Sequence, residues 1–163
     1  MRGGGRQIED DVLLLKQLLS NNPLISASLA WFFTQGFKLI VHYRLTRKVN
    51  FRLWTSSGGM PSSHSATVCA LSASVALHEG LGSTLFAITL FFAIFVIYDA
   101  AVVRRASGYQ AEALNKIMAK VFEAHTLSER QLKELIGHTP LQVLIGIFVG
   151  IFVACLQAWF VVA

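Results

Sequence analysis

Gly58-Gly59-Met60-Pro61-Ser62-Ser63-His64 places backbone donors, two hydroxyls and an imidazole directly before an apolar stretch. Serine and proline are common at the first positions of helices, so the segment predicts a turn that leads into a helix. A helix start carries unpaired N–H groups and the positive end of the helix dipole, which together stabilise an oxyanion. The segment alone leaves two interpretations open: a phosphate-binding turn and an ordinary serine-capped turn.

The composition of the whole chain is that of an integral membrane protein. Of 163 residues, 54% are hydrophobic and only 14% are charged, and the mean hydropathy is +0.56. Three runs are long and apolar enough to cross a bilayer, roughly Leu24 to Tyr43, Leu81 to Val103 and Leu141 to Ala163. A fourth, roughly Ser63 to Leu77, is rich in small residues that suit packing between helices. We therefore predict an all-α membrane bundle with about four membrane-embedded helices.

The N-terminal residues differ from the rest because charges are mixed with leucines. Between Ile8 and Ser20 the apolar residues follow a helical period, which predicts an amphipathic helix at the membrane interface. We expect residues 1–22 to form this interfacial segment and residues 23–163 to form a single membrane domain.

Charge asymmetry orients the predicted spans. The loop from Arg44 to Arg52 contains four basic residues and no acid, which the positive-inside rule assigns to the cytoplasm or the equivalent face of an organelle. With that orientation, Pro61–His64, Asp99–Arg105 and Gly137–Pro140 all lie at the basic face and are predicted to converge on one site. The formal net charge of +5 comes largely from residues that flank spans and meet anionic headgroups, so nucleic-acid binding is not expected.

Three basic residues and one acid near this face are candidate site residues. Arg104 and Arg105 offer forked donors that match phosphate oxygens, although charges that flank a span also serve topology alone. Asp99 lies inside the same span and is costly unless paired, so it is predicted either to orient a histidine or to neutralise an arginine. Lys38 lies inside the first span and is predicted either to contact phosphate or to extend its ammonium to the interface.

Two of the five histidines, His64 and His138, stand beside glycine turns and helix starts. One imidazole can attack phosphorus while the other protonates the leaving alkoxide, with arginine and backbone donors stabilising the phosphate oxygens. This scheme requires no metal and no cofactor. The sequence also contains no HExxH motif or cysteine cluster that would indicate a competing metal site.

Several segments between about Lys38 and Gly150 carry a resemblance to a known family. They are Gly58-Gly59-Met60-Pro61-Ser62-Ser63-His64-Ser65-Ala66, Asp99-Ala100, Val103-Arg104-Arg105, Gly108-Tyr109-Gln110-Ala111, Leu114-Asn115, Leu132-Lys133-Glu134-Leu135 and Gly137-His138-Thr139-Pro140, with Val143 and Gly146. Taken together they resemble the divergent PAP2 family, which is also described as related to acid phosphatases and vanadium-dependent haloperoxidases.

The resemblance implies an activity and residue roles. The wider PAP2 superfamily dephosphorylates lipid phosphates and related substrates through a phosphohistidine, without a metal. By this resemblance His138 is the nucleophile and His64 is the acid for the leaving group. The phosphate is expected to be bound by four further residues: Ser62, Ser63, Arg104 and Arg105. Lys38 is a candidate for the lysine of the superfamily's first motif.

The chain departs from the superfamily pattern at its site. Ser63 replaces a glycine, and the lysine motif has no clean counterpart, with Lys48 and Arg52 as further candidates. Gln142 stands where the superfamily has an acid beyond the nucleophile. Its carbonyl accepts a hydrogen bond from the ring, but it does not stabilise an imidazolium as a carboxylate does. Asp99 is the candidate to substitute for that acid.

The sequence therefore supports two functions. The first is a metal-independent membrane phosphatase that hydrolyses a lipid phosphomonoester or a prenyl pyrophosphate at the basic face. The alternative, favoured by Gln142, is a non-catalytic PAP2-like protein that binds phospholipid or serves as a subunit of a membrane assembly. The expected partners are the substrate and membrane lipids, and homo-oligomerisation is left open.

Overall fold

A computed structural model of the chain describes residues 3–48, 54, 59–122 and 138–162. Its helices are α1 (Gly3–Leu19), α2 (Asn22–Thr46), α3 (Ser63–Glu79), α4 (Thr84–Tyr98), α5 (Arg104–Phe122) and α6 (Pro140–Val162), with a π-helical segment (Asp99–Val103) between α4 and α5. Within these described residues, three stretches are long and apolar enough to span a membrane: Asn22–Thr46, Thr84–Met118 and Pro140–Val161. The predicted all-α membrane bundle is confirmed, with three spans by length and α3 as a shorter fourth helix.

Helix α3 lies at the centre of the bundle and contacts α2, α4 and α6. Its 17 residues give it a length of only about 25 Å. Serine, alanine and valine side chains bury much of its surface, and the small ones allow neighbouring backbones to approach closely. The buried residues are Ser63, Ser65, Ala66, Val68, Ala70, Ser72, Ser74 and Val75.

The contact between α3 and α6 is a backbone contact. A Cβ atom added at Gly146 would lie 2.6 Å from the Ser62 carbonyl oxygen, and one added at Gly150 would lie 2.3 Å from the Ala66 carbonyl oxygen. The buried Ala154 continues this row at the same four-residue spacing. Small residues four apart allow such close approach in membranes, and here they fix how α6 packs on α3.

A polar contact joins α2 and α6 at the end of the bundle where α2 begins. Ser26 Oγ donates to Gln157 Oε1 over 3.1 Å, and Gln157 Nε2 donates to Asn22 Oδ1 over 2.9 Å. All three groups are satisfied by one another, which is the arrangement that makes polar side chains tolerable inside a membrane.

Helical structure continues past Val103, where the predicted span from Leu81 to Val103 ends. The stretch Thr84–Met118 has 35 residues and a length of about 52 Å, against a hydrocarbon core of about 30 Å. The π-helical segment lies within this long helix. Helix α5 therefore extends beyond the length that a span requires, on the side where α4 ends.

Helix α1 has the amphipathic pattern expected for the N-terminal segment, and many of its leucines are exposed. Leu13 and Leu18 are 55% and 56% exposed. Helix α1 packs only weakly against α2. Its position at the membrane interface, and the division of the chain at residue 22, stay predictions.

Replacing Gly150 by alanine should destabilise the bundle, because the new Cβ meets the Ala66 backbone oxygen, which cannot rotate away. The expected loss is about 1–3 kcal/mol of unfolding free energy, measured by thermal unfolding in detergent. Gly36→Ala on α2 is the matched control, since a Cβ at Gly36 has nothing within 4 Å. Equal unfolding midpoints for the two variants would contradict the close α3–α6 contact.

Candidate functional site

Residues from four elements meet where α3 and α6 begin. Lys38 belongs to α2, and Ser63 and His64 belong to the first turn of α3. Arg104 is the first residue of α5, directly after the π-helical segment, and His138 precedes α6. We call this group the histidine site. Backbone hydrogen bonds connect the elements: His138 N–H donates to the Ala100 carbonyl over 3.2 Å, and Ser62 N–H donates to the Gln142 carbonyl over 3.1 Å.

Lys38 is buried, with 6% of its surface exposed, and its Nζ donates to Ser63 Oγ over 3.3 Å. Within the described ranges, the ion pairs are Arg104 with Asp99 and Lys116 with Glu112, so no described carboxylate pairs with Lys38. A buried ammonium without a counter-ion is costly in a membrane. The ammonium points to the start of α3, and both alternatives for Lys38, contact with phosphate and extension to the interface, stay predictions.

The start of α3 is capped by Ser62. Its fully buried Oγ accepts from Ser65 N–H over 3.4 Å and from Ser65 Oγ over 3.1 Å. The serine-capped turn is therefore present, and it coexists with the contact from Lys38 to Ser63. Gly58 and Gly137, which belong to the predicted motifs, lie outside the described residues.

The orientation of His138 is fixed by a capping box at the start of α6. Gln142 Oε1 accepts from Thr139 N–H over 3.0 Å and lies 3.2 Å from His138 Nδ1, while Thr139 Oγ1 accepts from Gln142 N–H over 3.4 Å. Because Thr139 N–H is a donor, the Gln142 atom beside it must be the oxygen. His138 Nδ1 is then the protonated nitrogen, and Nε2 carries the lone pair.

The environment of His138 favours its neutral form. Only 2% of the residue is exposed, and Nε2 is buried without a hydrogen-bond partner among the described residues. Burial lowers the pKa of His138 below its ordinary value, and the positive charges of Lys38 and Arg104 lower it further. The hydrogen bond with Gln142 acts in the opposite direction. The net effect favours a neutral imidazole with an unprotonated Nε2.

His64 faces His138 from the first turn of α3. The two ring centroids are 6.1 Å apart and the ring planes are inclined by 58°. Nδ1 of His64 is buried and also has no partner in the described part of the chain. Each histidine therefore has a buried ring nitrogen that is free to interact with a ligand.

The π-helical segment brings Arg104 to Asp99. Arg104 Nε donates to Asp99 Oδ2 over 2.8 Å, and Arg104 N–H donates to the Asp99 carbonyl. In a regular α-helix, residues five apart point about 140° away from each other around the axis. The wider π turn removes much of this divergence, and such turns are frequent at functional sites.

Arg105 is not brought to the histidine site. Its side chain donates from Nε to Tyr109 Oη over 3.0 Å, and its guanidinium lies 5.7 Å from the centre of the Tyr109 ring. The residue is exposed. The role of Arg105 in phosphate binding stays a prediction, and Arg104 is the arginine whose charge acts on both histidines.

The comparisons with known proteins agree with this architecture. No solved structure matches the chain. The protein called uncharacterized membrane protein YuiD, from Bacillus subtilis (strain 168), is 43% identical over 155 residues, covering 88% of this chain and 98% of the relative. The family model described as the divergent PAP2 family matches residues 19–153, a range that includes every residue of the histidine site. The chain belongs to the divergent PAP2 family, as its sequence motifs predicted.

Proposed function

We propose that the protein is a metal-independent phosphatase that hydrolyses a lipid phosphomonoester, or a prenyl pyrophosphate, through a phosphohistidine at His138. The observation that carries the proposal is the buried Lys38 ammonium, which has no carboxylate among the described residues and lies beside two histidines with unpartnered ring nitrogens. A phosphate group would supply the missing negative charge and acceptors for these donors.

The depth of the site supports a lipid substrate. Lys38 lies about 24 Å along α2 from its first residue, Asn22, and His64 lies about 22 Å along α3 from its last residue, Glu79. With a hydrocarbon core of about 30 Å, both residues are close to one membrane surface. The neighbouring end of α2 carries Arg44 and Arg47, so we assign the site to the basic, cytoplasmic or equivalent face.

The proposed first step transfers the phosphoryl group to His138. Neutral Nε2 attacks phosphorus, the bond from phosphorus to the leaving oxygen breaks, and protonated His64 gives its proton to that oxygen. Reacting atoms need to approach within about 3–3.5 Å on each side of the phosphoryl group. Two such approaches together span about 6–7 Å, and the centroids of the two imidazole rings are 6.1 Å apart.

The second step returns the enzyme to its starting state. Neutral His64 takes a proton from water, the water oxygen attacks phosphorus, and the bond between phosphorus and Nε2 breaks to release phosphate. Lys38 and Arg104 stabilise the charge on the phosphate oxygens in both steps. Asp99 holds Arg104 in place through their hydrogen bond and is a positioning residue in this scheme.

A specific observation favours the alternative function as well. The group that holds His138 Nδ1 is the neutral amide of Gln142, which stabilises the positively charged phosphoimidazole less than a carboxylate does. A chain with this residue retains the anion site even where phosphoryl transfer is slow. The alternative is therefore a protein that binds a phospholipid headgroup at the histidine site without turnover.

Turnover separates the two functions. Purified protein in detergent with EDTA should release phosphate from lipid phosphates, and His138→Ala and His64→Ala should each reduce the rate by at least about a hundredfold. His78→Ala, exposed at the opposite end of α3, is the matched control and should retain the wild-type rate. Phosphate release that does not depend on His138 would contradict the mechanism, and absence of release with retained lipid binding would establish the alternative.

Gln142→Glu should increase the rate of phosphoryl transfer by about tenfold or more, because a carboxylate stabilises the positive ring. Glutamate also preserves the capping box with Thr139, so the start of α6 should remain intact. Gln142→Leu removes both interactions and should lower kcat and the unfolding midpoint. A Gln142→Glu rate equal to or below that of the wild type would show that the ring charge does not limit turnover.

The pH dependence should report His138. Its lowered pKa keeps Nε2 unprotonated below the ordinary histidine range, so the acid limb of kcat/KM should appear where pH drops through this lowered pKa. The alkaline limb should follow loss of the proton that His64 donates in the first step. A carboxylate at position 142 raises that pKa, and the acid limb of the Gln142→Glu profile should move to higher pH. An acid limb that is the same in both proteins would assign it to a group other than His138.

A further inference from the structure

An aromatic cluster lies beside the histidine site, towards the middle of the bundle. It consists of Trp31 and Phe32 on α2 and of Trp54, which follows α2 in the chain. The Trp54 ring lies 5.7 Å from Trp31 and 6.1 Å from Phe32 between centroids, and Trp31 and Phe32 are 5.0 Å apart in an edge-to-face arrangement. Trp31 and Phe32 lie about 20 Å along α2 from the end of the helix at Thr46. Because the Trp54 ring lies beside theirs, Trp54 reaches deep into the membrane domain.

Gln35 holds Trp54 against α2. The residue is 3% exposed, and its Nε2 donates to the Trp54 carbonyl over 2.7 Å. A hydrogen bond from a buried side-chain amide is costly to break inside a membrane, so it fixes the position of the Trp54 backbone. Gln35 Oε1 is buried and has no partner among the described residues, which leaves an acceptor between the cluster and Lys38.

Trp31 and Lys38 share one side of α2, whereas Phe32 lies about 120° around the helix from Lys38. Trp31 precedes Lys38 by seven residues, a spacing that places both on the same face, about 10 Å apart along the axis. Gln35 lies between them, about 5 Å from Lys38 along the axis. A lipid whose phosphate contacts Lys38 and whose chain enters the membrane would therefore reach the cluster within the first few carbons.

The cluster is apolar and accessible. Phe32 is 55% exposed, and Trp31 and Trp54 are half-buried. Aromatic faces and edges offer large contact areas for hydrocarbon at little entropic cost. We infer that Trp31, Phe32 and Trp54 form a subsite for the hydrocarbon chain of the phosphate-bearing lipid, and that they select membrane-embedded over water-soluble phosphate esters. This inference rests on the proposed phosphate site at Lys38.

Photo-cross-linking of the wild-type protein tests the subsite without requiring turnover. A phosphatidate that carries a diazirine early in one acyl chain should label Trp31, Phe32 or Trp54, as mapped by peptide mass spectrometry. Phosphatidylcholine with the same diazirine is the matched probe and should label the cluster about tenfold less, because its phosphodiester lacks the doubly charged headgroup. Equal labelling by the two probes, or phosphatidate labelling confined to other membrane-facing residues, would overturn the inference.

Competition identifies which chain the subsite prefers. Excess unlabelled phosphatidate and excess prenyl phosphate should each suppress cluster labelling, and the one effective at the lower concentration names the chain class. Inorganic phosphate at the same concentrations should compete more weakly, since it offers no hydrocarbon to the aromatic rings. Competition by inorganic phosphate equal to that by both lipids would contradict a chain subsite.

Variants measure the effect on turnover. Phe32→Ala should lower kcat/KM about tenfold for a dioleoyl phosphatidate and leave the dihexanoyl ester nearly unchanged. Trp54→Ala should act in the same way. Phe92→Ala on α4 is the control, since Phe92 is exposed to a similar extent at 52%. If Trp54→Ala does not fold, the exposed Phe32 still provides the test, and equal losses for both esters would overturn the subsite.

The two proposals fail in different ways. A wild-type protein without turnover, but with phosphatidate-specific labelling of the cluster, would contradict the phosphatase and support the subsite in a lipid-binding protein. A wild-type protein with turnover and no cluster labelling would support the phosphatase and contradict the subsite.

Discussion

The close contact between α3 and α6 is the constraint on which the histidine site depends. Gly146 and Gly150 bring the backbone of α6 against the carbonyl oxygens of Ser62 and Ala66, at positions where even a methyl group does not fit. Within a membrane, apolar surface provides little net drive for helices to associate, so close packing and polar contacts determine their arrangement. The two helix starts are held side by side, and the Ser62 N–H bond to the Gln142 carbonyl fixes their relative height.

This arrangement brings two imidazoles near each other and directs a buried ammonium to the residue beside one of them. Within the described residues, Asp99 pairs with Arg104, whereas Lys38 is left with a hydroxyl as its partner. Among the described residues the site is therefore electropositive, and the proposed phosphate would supply the negative charge that Lys38 lacks. Gln142 connects structure with chemistry, because one oxygen caps α6 and holds the tautomer of His138.

Much of this fold could be predicted from the sequence. Apolar runs indicated the spans, small residues indicated a packed helix from roughly Ser63 to Leu77, and the basic loop after α2 predicted that the polar motifs share one face. The capping box also has a sequence signature, since Thr139 is followed three residues later by Gln142. The row of Gly146, Gly150 and Ala154 was a second available signal for the α3–α6 contact.

Other features depend on geometry that no local pattern encodes. The π-helical segment that turns Arg104 towards Asp99 follows from packing, so the sequence did not distinguish Arg104 from its neighbour Arg105. The return of Trp54 to the middle of α2 is a long-range contact held by the Gln35 amide, and residue propensities do not specify it. Burial of Lys38 likewise depends on where α3 begins relative to α2.

Direct detection of the covalent intermediate is the measurement that tests the central claim most closely. His64→Ala protein would be mixed rapidly with an activated aryl phosphate, whose leaving group needs no proton, and quenched for peptide mass spectrometry under alkaline conditions. The account predicts a phosphoryl group on Nε2 of His138 that accumulates, because water attack lacks its base. Absence of phosphate on His138 while the aryl ester is hydrolysed, or its appearance on a different residue, would contradict the account.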